Sequence, residues 1–270
     1  MHKIVSLVFI FIFFSGGFSW GQQPSPDAQT PAAQPAAEPH QEAAGPHWGY
    51  EGTGAPENWG TLSADFSTCN NGKTQSPVNL EGAKDTALKP LVLKYVPSKV
   101  RLVNNGHTIQ VNVTGKNKAV FGGKKYDLEQ MHFHSQSEHT LLGQSFPMEL
   151  HLVHKNAAGQ LAVIGVFIKE GKENPIIKKL WANIPEAQGE EKDVAGFKLQ
   201  ALKILPAKKK YMNYTGSLTT PPCSENVNWH MLVNPIELSA PQIAMFSKYY
   251  AKNARPVQPL NERVIAQSKK

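Results

Sequence analysis

This chain of 270 residues is poor in cysteine, in clustered basic charge and in long apolar runs. Only two cysteines occur, and neither is close in sequence to the histidines at 132–151, which disfavours a closed zinc site with thiolate ligands. The net charge is +7, yet no basic stripe contains interleaved aromatic residues, so a nucleic acid is not the expected partner. After the apolar run at 4–14 no second one follows, so no stable membrane span is expected after processing.

The N-terminal segment predicts export. A short basic start at 2–3, the apolar run and a suitable cleavage tripeptide at 19–21 are typical of a signal peptide, which we assign to residues 1–21. No cysteine lies near the cleavage site, which argues against a lipoprotein, and retention as an uncleaved anchor is the alternative. We therefore expect a periplasmic or secreted protein. In such an oxidising compartment Cys69 and Cys223 should form a disulfide, with two free buried thiols as the alternative.

The rest of the chain divides into a tether and one domain. Residues 22–45 are mainly Ala, Pro, Gln and Glu, which predicts a disordered tether, and residues 46–270 show no linker or repeat. Short runs of Val, Ile, Leu and Phe between Gly, Asn and Pro turns predict a mostly β domain. Start signals at Asn174 and Ser239 predict two peripheral helices. The predicted strands include Leu91–Tyr95, Ile109–Val113, Glu149–His154 and Leu161–Ile168.

Three histidines are spaced as metal ligands on strands would be. His132 and His134 alternate on one predicted strand, so they point to the same face. His151 lies seventeen positions after His134, on a second predicted strand, and shares a face there with Val153. If the two strands are antiparallel neighbours, three imidazoles converge, which is a catalytic zinc arrangement with the fourth position open. A His-x-His pair alone is more often a pair of ordinary core or surface histidines.

Two further residues strengthen the metal hypothesis. A histidine that binds a metal needs an acceptor for its other ring nitrogen. Glu149 is suited to hold His151, and Gln130 could hold His132 through its side-chain carbonyl oxygen. Three histidines without a thiolate favour an open, hydrolytic zinc centre over a structural one.

A set of short motifs, taken in order, resembles the alpha-class carbonic anhydrases, particularly the exported bacterial type. The resemblance extends from about His47 to the C-terminus. The motifs that carry it are His47–Tyr50, Gln75–Asn79, Asn104–His107, His132–His134, Ser137–His139, Glu149–His154, Gly216–Pro222 and Arg255–Leu260.

This resemblance implies the reversible hydration of carbon dioxide to bicarbonate and a proton by a zinc-bound hydroxide. His132, His134 and His151 would then be the ligands of Zn²⁺. The Thr219 hydroxyl would donate a hydrogen bond to the Glu138 carboxylate and orient the attacking group. An apolar wall beside the metal would receive the substrate, and its implied residues are Val153, Val163, Leu218, Thr220 and Trp229.

The family's proton-shuttle position is occupied by His107. Tyr50, Asn105 and Gln110 would order the waters between this histidine and the metal. Simple alternation, however, groups His107 with the apolar residues of the following strand and predicts that it is buried. A β-bulge near Asn105 and Gly106 would resolve this conflict.

The resemblance also sets the expected fold. It implies a single domain around a large, twisted, mainly antiparallel sheet with short peripheral helices, and a homodimer is a candidate assembly. A disulfide between Cys69 and Cys223 would hold the loop that carries Thr219. Two other functions stay open: a non-catalytic carbonic-anhydrase-like binding module, which would typically lack a ligand histidine, and a zinc hydrolase for another substrate, which would need an additional acid or base.

Overall fold

The computed structural model describes residues 47–268. The predicted signal peptide (1–21) and the predicted tether (22–45) lie outside the described residues. Within the described part, no helix has both the length and the apolar character that a membrane span requires.

Strands form most of the regular structure. The strands of residues 47–268 are β1 (Asn79–Leu80), β2 (Lys84–Thr86), β3 (Val92–Lys94), β4 (Val100–Asn104), β5 (Ile109–Val113), β6 (Lys118–Phe121), β7 (Lys124–Ser135), β8 (Thr140–Leu141), β9 (Met148–Lys155), β10 (Leu161–Glu170), β11 (Glu191–Asp193), β12 (Tyr211–Ser217), β13 (Glu225–Leu238) and β14 (Ala266–Ser268). All four strands predicted from the sequence are present, with ends that differ by at most two residues.

Within residues 47–268 the helices are short and few. The α-helices are α1 (Trp59–Leu62), α2 (Thr68–Asn71), α3 (Pro175–Trp181) and α4 (Ala240–Ser247), and the 3₁₀ turns are Gly52–Gly54, Pro56–Asn58, Ala64–Phe66 and Ala201–Lys203. Both predicted helix starts are confirmed. Asn174 accepts hydrogen bonds from the backbone at the start of α3, and Ser239 forms a capping box with Gln242 at the start of α4.

One large sheet contains most of the strands, in the order β11-β4-β5-β7-β9-β10-β13-β12-β14-β2, with β6 and β3 attached beside β7. Most neighbours are antiparallel, as predicted, but β10 and β13 pair in parallel, as do β14 and β2. The C-terminal strand β14 therefore lies between β12 and β2, inside the order of the sheet rather than at its edge.

The two faces of the central strands have different tasks. On β7 and β9, Met131, Phe133, Leu150 and Leu152 point into the main apolar core, which α3 and α4 also contact. Because side chains alternate along a strand, the residues between them point to the opposite face. That face carries the three histidines of the predicted metal site.

Two other histidines are buried on the apolar side of the sheet. The Tyr95 hydroxyl lies 2.6 Å from His154 Nε2, and His230 packs against the ring of Phe121. Burial lowers the pKa of His154 to about 3 and that of His230 to about 4. Both imidazoles are therefore neutral at neutral pH. The prediction that His154 faces away from the metal site is confirmed.

Leu142 occupies a position that suits a leucine badly. It forms a two-residue turn with Gly143, both residues have positive φ (53° and 78°), and 70% of Leu142 is exposed. The left-handed conformation costs a leucine about 1–2 kcal/mol, whereas Asn tolerates it and Asn-Gly is a preferred pair in such turns. We expect Leu142→Asn to raise the free energy of unfolding by about 1 kcal/mol in denaturant titrations.

The matched control for this turn is Gly143→Ala. It places a side chain at a positive φ and should lower the free energy of unfolding instead. Equal stability of the three proteins would show that the turn relaxes without strain.

Candidate active site

The three predicted ligand histidines converge at one point. β7 and β9 are antiparallel neighbours, and His132 lies directly opposite His151 in their register. One ring nitrogen from each of His132, His134 and His151 lies within 4.8 Å of the others. His134 Nε2 is buried and has no hydrogen-bond partner among the described residues.

The other ring nitrogen of each histidine has an acceptor. His132 Nδ1 lies 2.9 Å from Gln130 Oε1, and His151 Nε2 lies 2.7 Å from Glu149 Oε1, both as predicted. His134 Nδ1 lies 2.6 Å from the backbone carbonyl oxygen of Asn253. Each imidazole donates its N–H outward, so each inward nitrogen carries a lone pair.

This arrangement fits a cation. His132 Nε2 and His151 Nδ1 are only 3.2 Å apart. With the ring proton of each histidine on its outward nitrogen, both atoms carry lone pairs and neither can donate to the other. A positive ion between them removes that repulsion. Tetrahedral coordination with zinc–nitrogen bonds of 2.0–2.1 Å requires nitrogen atoms about 3.3 Å apart. The donor set of three neutral imidazoles and no thiolate is the one that catalytic zinc uses.

The protonation states agree with this arrangement. Burial, together with the neighbouring histidines, lowers the pKa of His132 well below its ordinary value. Burial also lowers the pKa of His134. Burial alone would raise the pKa of the Glu149 carboxyl group, but His139 and the hydrogen bond from His151 hold that pKa well below its usual range. His132 and His134 are therefore neutral at neutral pH, and Glu149 is ionised.

Glu138 lies beside the inward nitrogens. Its Oε1 accepts a hydrogen bond of 2.9 Å from the backbone N–H of Arg255. Its Oε2 is 3.5 Å from His134 Nε2 and has no hydrogen-bond partner among the described residues. The predicted hydrogen bond from Thr219 is not formed in this structure, although Thr219 is buried.

Thr219 lies in the loop between β12 and β13, and contacts at Cys223 fix the end of this loop that leads into β13. Cys223 in that loop forms a disulfide with Cys69, with the two Cα atoms 5.0 Å apart, so the predicted disulfide is confirmed. The Gln75 side-chain amide donates to the Cys223 carbonyl oxygen over 3.1 Å. Two separate parts of the N-terminal region therefore hold this loop.

The predicted apolar wall forms a row across three strands. Val163 on β10 lies opposite Val153 on β9 and opposite Trp229 on β13. The Trp229 ring centroid is 4.9 Å from that of His151, and Leu218 packs against the same cluster. Thr220 is half-buried in the loop beside it. The sheet thus places an apolar surface next to the histidines.

The structure resolves the conflict at His107 by a turn, without a β-bulge in the strand. This residue lies in the turn between β4 and β5, where Gly106 has a φ of 84°, so strand alternation does not apply to it. Asn105 Oδ1 accepts the backbone N–H of His107, which shapes the turn. Because a turn frees the side chain from the sheet faces, His107 is only partly buried.

The His107 ring is stacked on an indole. Its centroid lies 3.6 Å from that of Trp48, with the planes 7° apart. Burial, and then the nearby His47, lower the pKa of His107 below its ordinary value. Two of the residues predicted to order water contact each other: the Asn105 side-chain amide donates to Gln110 Oε1 over 3.4 Å. The third is Tyr50, and burial raises the pKa of its hydroxyl group.

Comparisons with known proteins agree with this site. The family model described as eukaryotic-type carbonic anhydrase matches residues 54–269. The chain belongs to the alpha carbonic anhydrase family. It is 44% identical over 227 residues to a carbonic anhydrase of Nostoc sp. (82% of this chain, 86% of that protein) and 47% identical over 223 residues to one of Klebsiella pneumoniae (81% and 90%).

A solved structure of this family is also similar. The alpha-carbonic anhydrase from Thermovibrio ammonificans, in complex with the inhibitor sulfanilamide, is 44% identical and superposes with a TM-score of 0.80. The match covers 84% of this chain and all of that chain. The predicted family and fold are both confirmed.

Some contacts of this carbonic anhydrase family member could not be found by sequence reasoning. The acceptor for His134 is a backbone carbonyl, which any residue at position 253 would supply. Glu138 accepts a hydrogen bond from the Arg255 backbone N–H, and a backbone donor likewise cannot be identified from the residue type. The aromatic pair of Trp48 and His107 lies 59 positions apart, and only the His-Trp-Gly-Tyr motif marked Trp48 as notable.

Proposed function

We propose that this protein is a zinc-dependent carbonic anhydrase that interconverts carbon dioxide and bicarbonate. The observation that carries the proposal is the approach of His132 Nε2 and His151 Nδ1 to 3.2 Å beside His134 Nε2, which has no hydrogen-bond partner within residues 47–268. Membership of the alpha carbonic anhydrase family supports the reaction. When bound, zinc supplies Lewis acidity and lowers the pKa of a water ligand to about 7, the value known for carbonic anhydrases in general.

The surrounding residues divide the remaining work. Gln130, Glu149 and the Asn253 carbonyl hold the three imidazoles with their lone pairs inward. In the described part of the chain Glu138 Oε2 has no hydrogen-bond partner, so it can accept the hydrogen bond that the Thr219 hydroxyl must donate if Thr219 is to orient the nucleophile. The row of Val153, Val163 and Trp229 offers carbon dioxide an apolar surface next to the metal.

Stopped-flow measurement of carbon dioxide hydration tests the proposal. The disulfide-intact protein should hydrate carbon dioxide rapidly, lose the activity on chelation and regain it with stoichiometric zinc. Activity should rise as the pH passes about 7. A folded protein that binds zinc but does not hydrate carbon dioxide would contradict the proposal and favour a non-catalytic binding module.

His107 is proposed to carry protons between the site and bulk solvent. We expect His107→Ala to lower kcat in weak buffer by at least about 10-fold, because a positioned proton-transfer group typically contributes more than that. kcat/KM should hardly change, since the proton leaves after the chemical step. Imidazole in the buffer should restore kcat. An unchanged kcat in weak buffer would exclude His107 as the shuttle.

The cellular setting is also proposed. The disulfide between Cys69 and Cys223 supports an oxidising compartment, in keeping with a signal peptide at 1–21, a tether at 22–45 and a catalytic domain at 46–270. N-terminal sequencing of the protein from a periplasmic fraction tests the cleavage after Gly21. Assembly as a homodimer stays a prediction, which light scattering of the purified protein can check.

A further inference from the structure

A buried chain of hydrogen bonds continues behind Glu149, on the side away from His151. His139 Nδ1 lies 2.8 Å from Glu149 Oε1, and the His139 backbone N–H donates to Glu149 Oε2 over 2.9 Å. His139 Nε2 lies 2.7 Å from the Tyr214 hydroxyl, which lies 2.8 Å from Ser76 Oγ. These side chains have at most 2% exposure. We call His139, Tyr214 and Ser76 the outer chain.

Ser76 determines which way the outer chain donates. Its hydroxyl oxygen accepts the Ser217 backbone N–H over 3.0 Å, and within the described residues its one other partner is the Tyr214 hydroxyl. The Ser76 hydrogen can therefore go only to the Tyr214 oxygen. The opposite direction would leave a buried hydroxyl hydrogen without an acceptor, which is energetically unfavourable.

The direction at Ser76 fixes the tautomer of His139. Because the Tyr214 oxygen accepts from Ser76, its own hydrogen is donated to His139 Nε2. His139 Nε2 is then the acceptor nitrogen, and the ring proton is on Nδ1, which donates to Glu149. Glu149 consequently receives two donors from His139 and keeps its position against His151 Nε2.

We propose that Tyr214 and Ser76 are positioning residues for the metal site, an inference that rests on the proposed zinc function. They hold His139 as the Nδ1–H tautomer, which holds Glu149, and Glu149 in turn keeps the Nδ1 lone pair of His151 pointing at the metal. Without the Tyr214 donor, His139 can adopt the other tautomer, whose Nδ1 lone pair faces the Glu149 carboxylate. Glu149 then loses a hydrogen-bond donor and its fixed orientation. The His151 ring, which Glu149 holds, loses its fixed orientation as a result.

The fold supplies a matched control. Tyr95 and His154 form a second buried tyrosine–histidine hydrogen bond, with 2.6 Å between Tyr95 Oη and His154 Nε2. This pair lies in the apolar core on the opposite face of the sheet, away from the metal site. Tyr95→Phe therefore removes the same kind of bond as Tyr214→Phe without touching the outer chain.

The first measurement is the rate at which zinc leaves the loaded protein in excess chelator. We expect Tyr214→Phe to release zinc about 10-fold faster than the unmodified protein, since the loss of groups that orient metal ligands costs roughly 10–100-fold in affinity. Ser76→Ala, a smaller change, should release zinc at a rate between those of Tyr214→Phe and the unmodified protein. Tyr95→Phe should release zinc at the unmodified rate. Equal release by Tyr214→Phe and Tyr95→Phe would overturn the proposal.

The second measurement is the histidine ¹⁵N spectrum of the metal-free proteins, which reports the tautomer directly whether or not zinc binds. His139 should show its proton on Nδ1 in the unmodified protein and in Tyr95→Phe, and a mixture of tautomers in Tyr214→Phe. A proton on Nε2 in the unmodified protein would overturn the assignment. If the unmodified protein binds no zinc, the proposed function fails, whereas the spectrum still decides the tautomer.

Discussion

Replacement of His151 by Ala is expected to abolish carbon dioxide hydration and to weaken zinc binding by more than about 100-fold. Loss of a group behind a metal ligand already costs 10–100-fold, so loss of a ligand itself should exceed that range. The variant also leaves Glu149 buried without its hydrogen bond to the His151 ring. Zinc content by mass spectrometry and stopped-flow hydration would measure both effects.

The control for this experiment is His154→Gln. His154 is three residues further along β9 but faces the apolar core on the other side of the sheet. This variant should retain stoichiometric zinc and keep kcat/KM close to that of the unmodified protein, because it changes no group that faces the candidate metal site. Stoichiometric zinc and normal hydration in His151→Ala would refute the candidate centre.

The second large effect is expected in the acid stability of the fold. Burial lowers the pKa of His154 to about 3, whereas a histidine in an unfolded chain titrates near 6.5. As the pH falls below 6.5, the unfolded chain takes up a proton that the folded protein does not. The stability associated with neutral His154 is therefore present above pH 6.5 and is lost between about 6.5 and 3. The loss from this residue approaches about 1.4 kcal/mol per pH unit.

His154→Gln should remove that contribution. The free energy of unfolding of this variant, measured in denaturant, should fall less between pH 7.5 and pH 5 than that of the unmodified protein. The difference between the two losses should be roughly 2 kcal/mol. His230, with a pKa of about 4 that burial also lowers, should still contribute a slope in the variant. The slope, rather than the absolute stability, is the quantity to compare.

Tyr95→Phe is the matched control for the acid experiment. It removes the hydrogen bond to His154 and should lower stability by about 1 kcal/mol at every pH. Because His154 stays buried, the slope should not change. If His154→Gln and the unmodified protein lost stability in parallel between pH 6.5 and 5, the acid sensitivity would have another source.

The local predictions succeeded where a few neighbouring residues decide the outcome. Period-two spacing placed His132 and His134 on one face because side chains alternate on any strand. Capping residues predicted the starts of α3 and α4 for the same local reason. His107 is the instructive case. Simple alternation grouped it with the residues of β5 and suggested burial, but Gly106 allows a turn there, and the turn places His107 outside the strand.

Sequence by itself determined the chemistry of this protein: three histidines, their acceptors Gln130 and Glu149, the cysteine pair and the order of the family motifs. These are side-chain properties, and spacing along a strand is enough to align them. The tertiary structure decided which atoms actually meet. The register of β7 against β9 set the distance between His132 and His151 at 3.2 Å. Contacts that depend on backbone groups, such as the Asn253 carbonyl on His134, and on chains of buried hydroxyls, such as Ser76 and Tyr214, follow from folding alone, because distant segments must pack before those atoms come within hydrogen-bond distance.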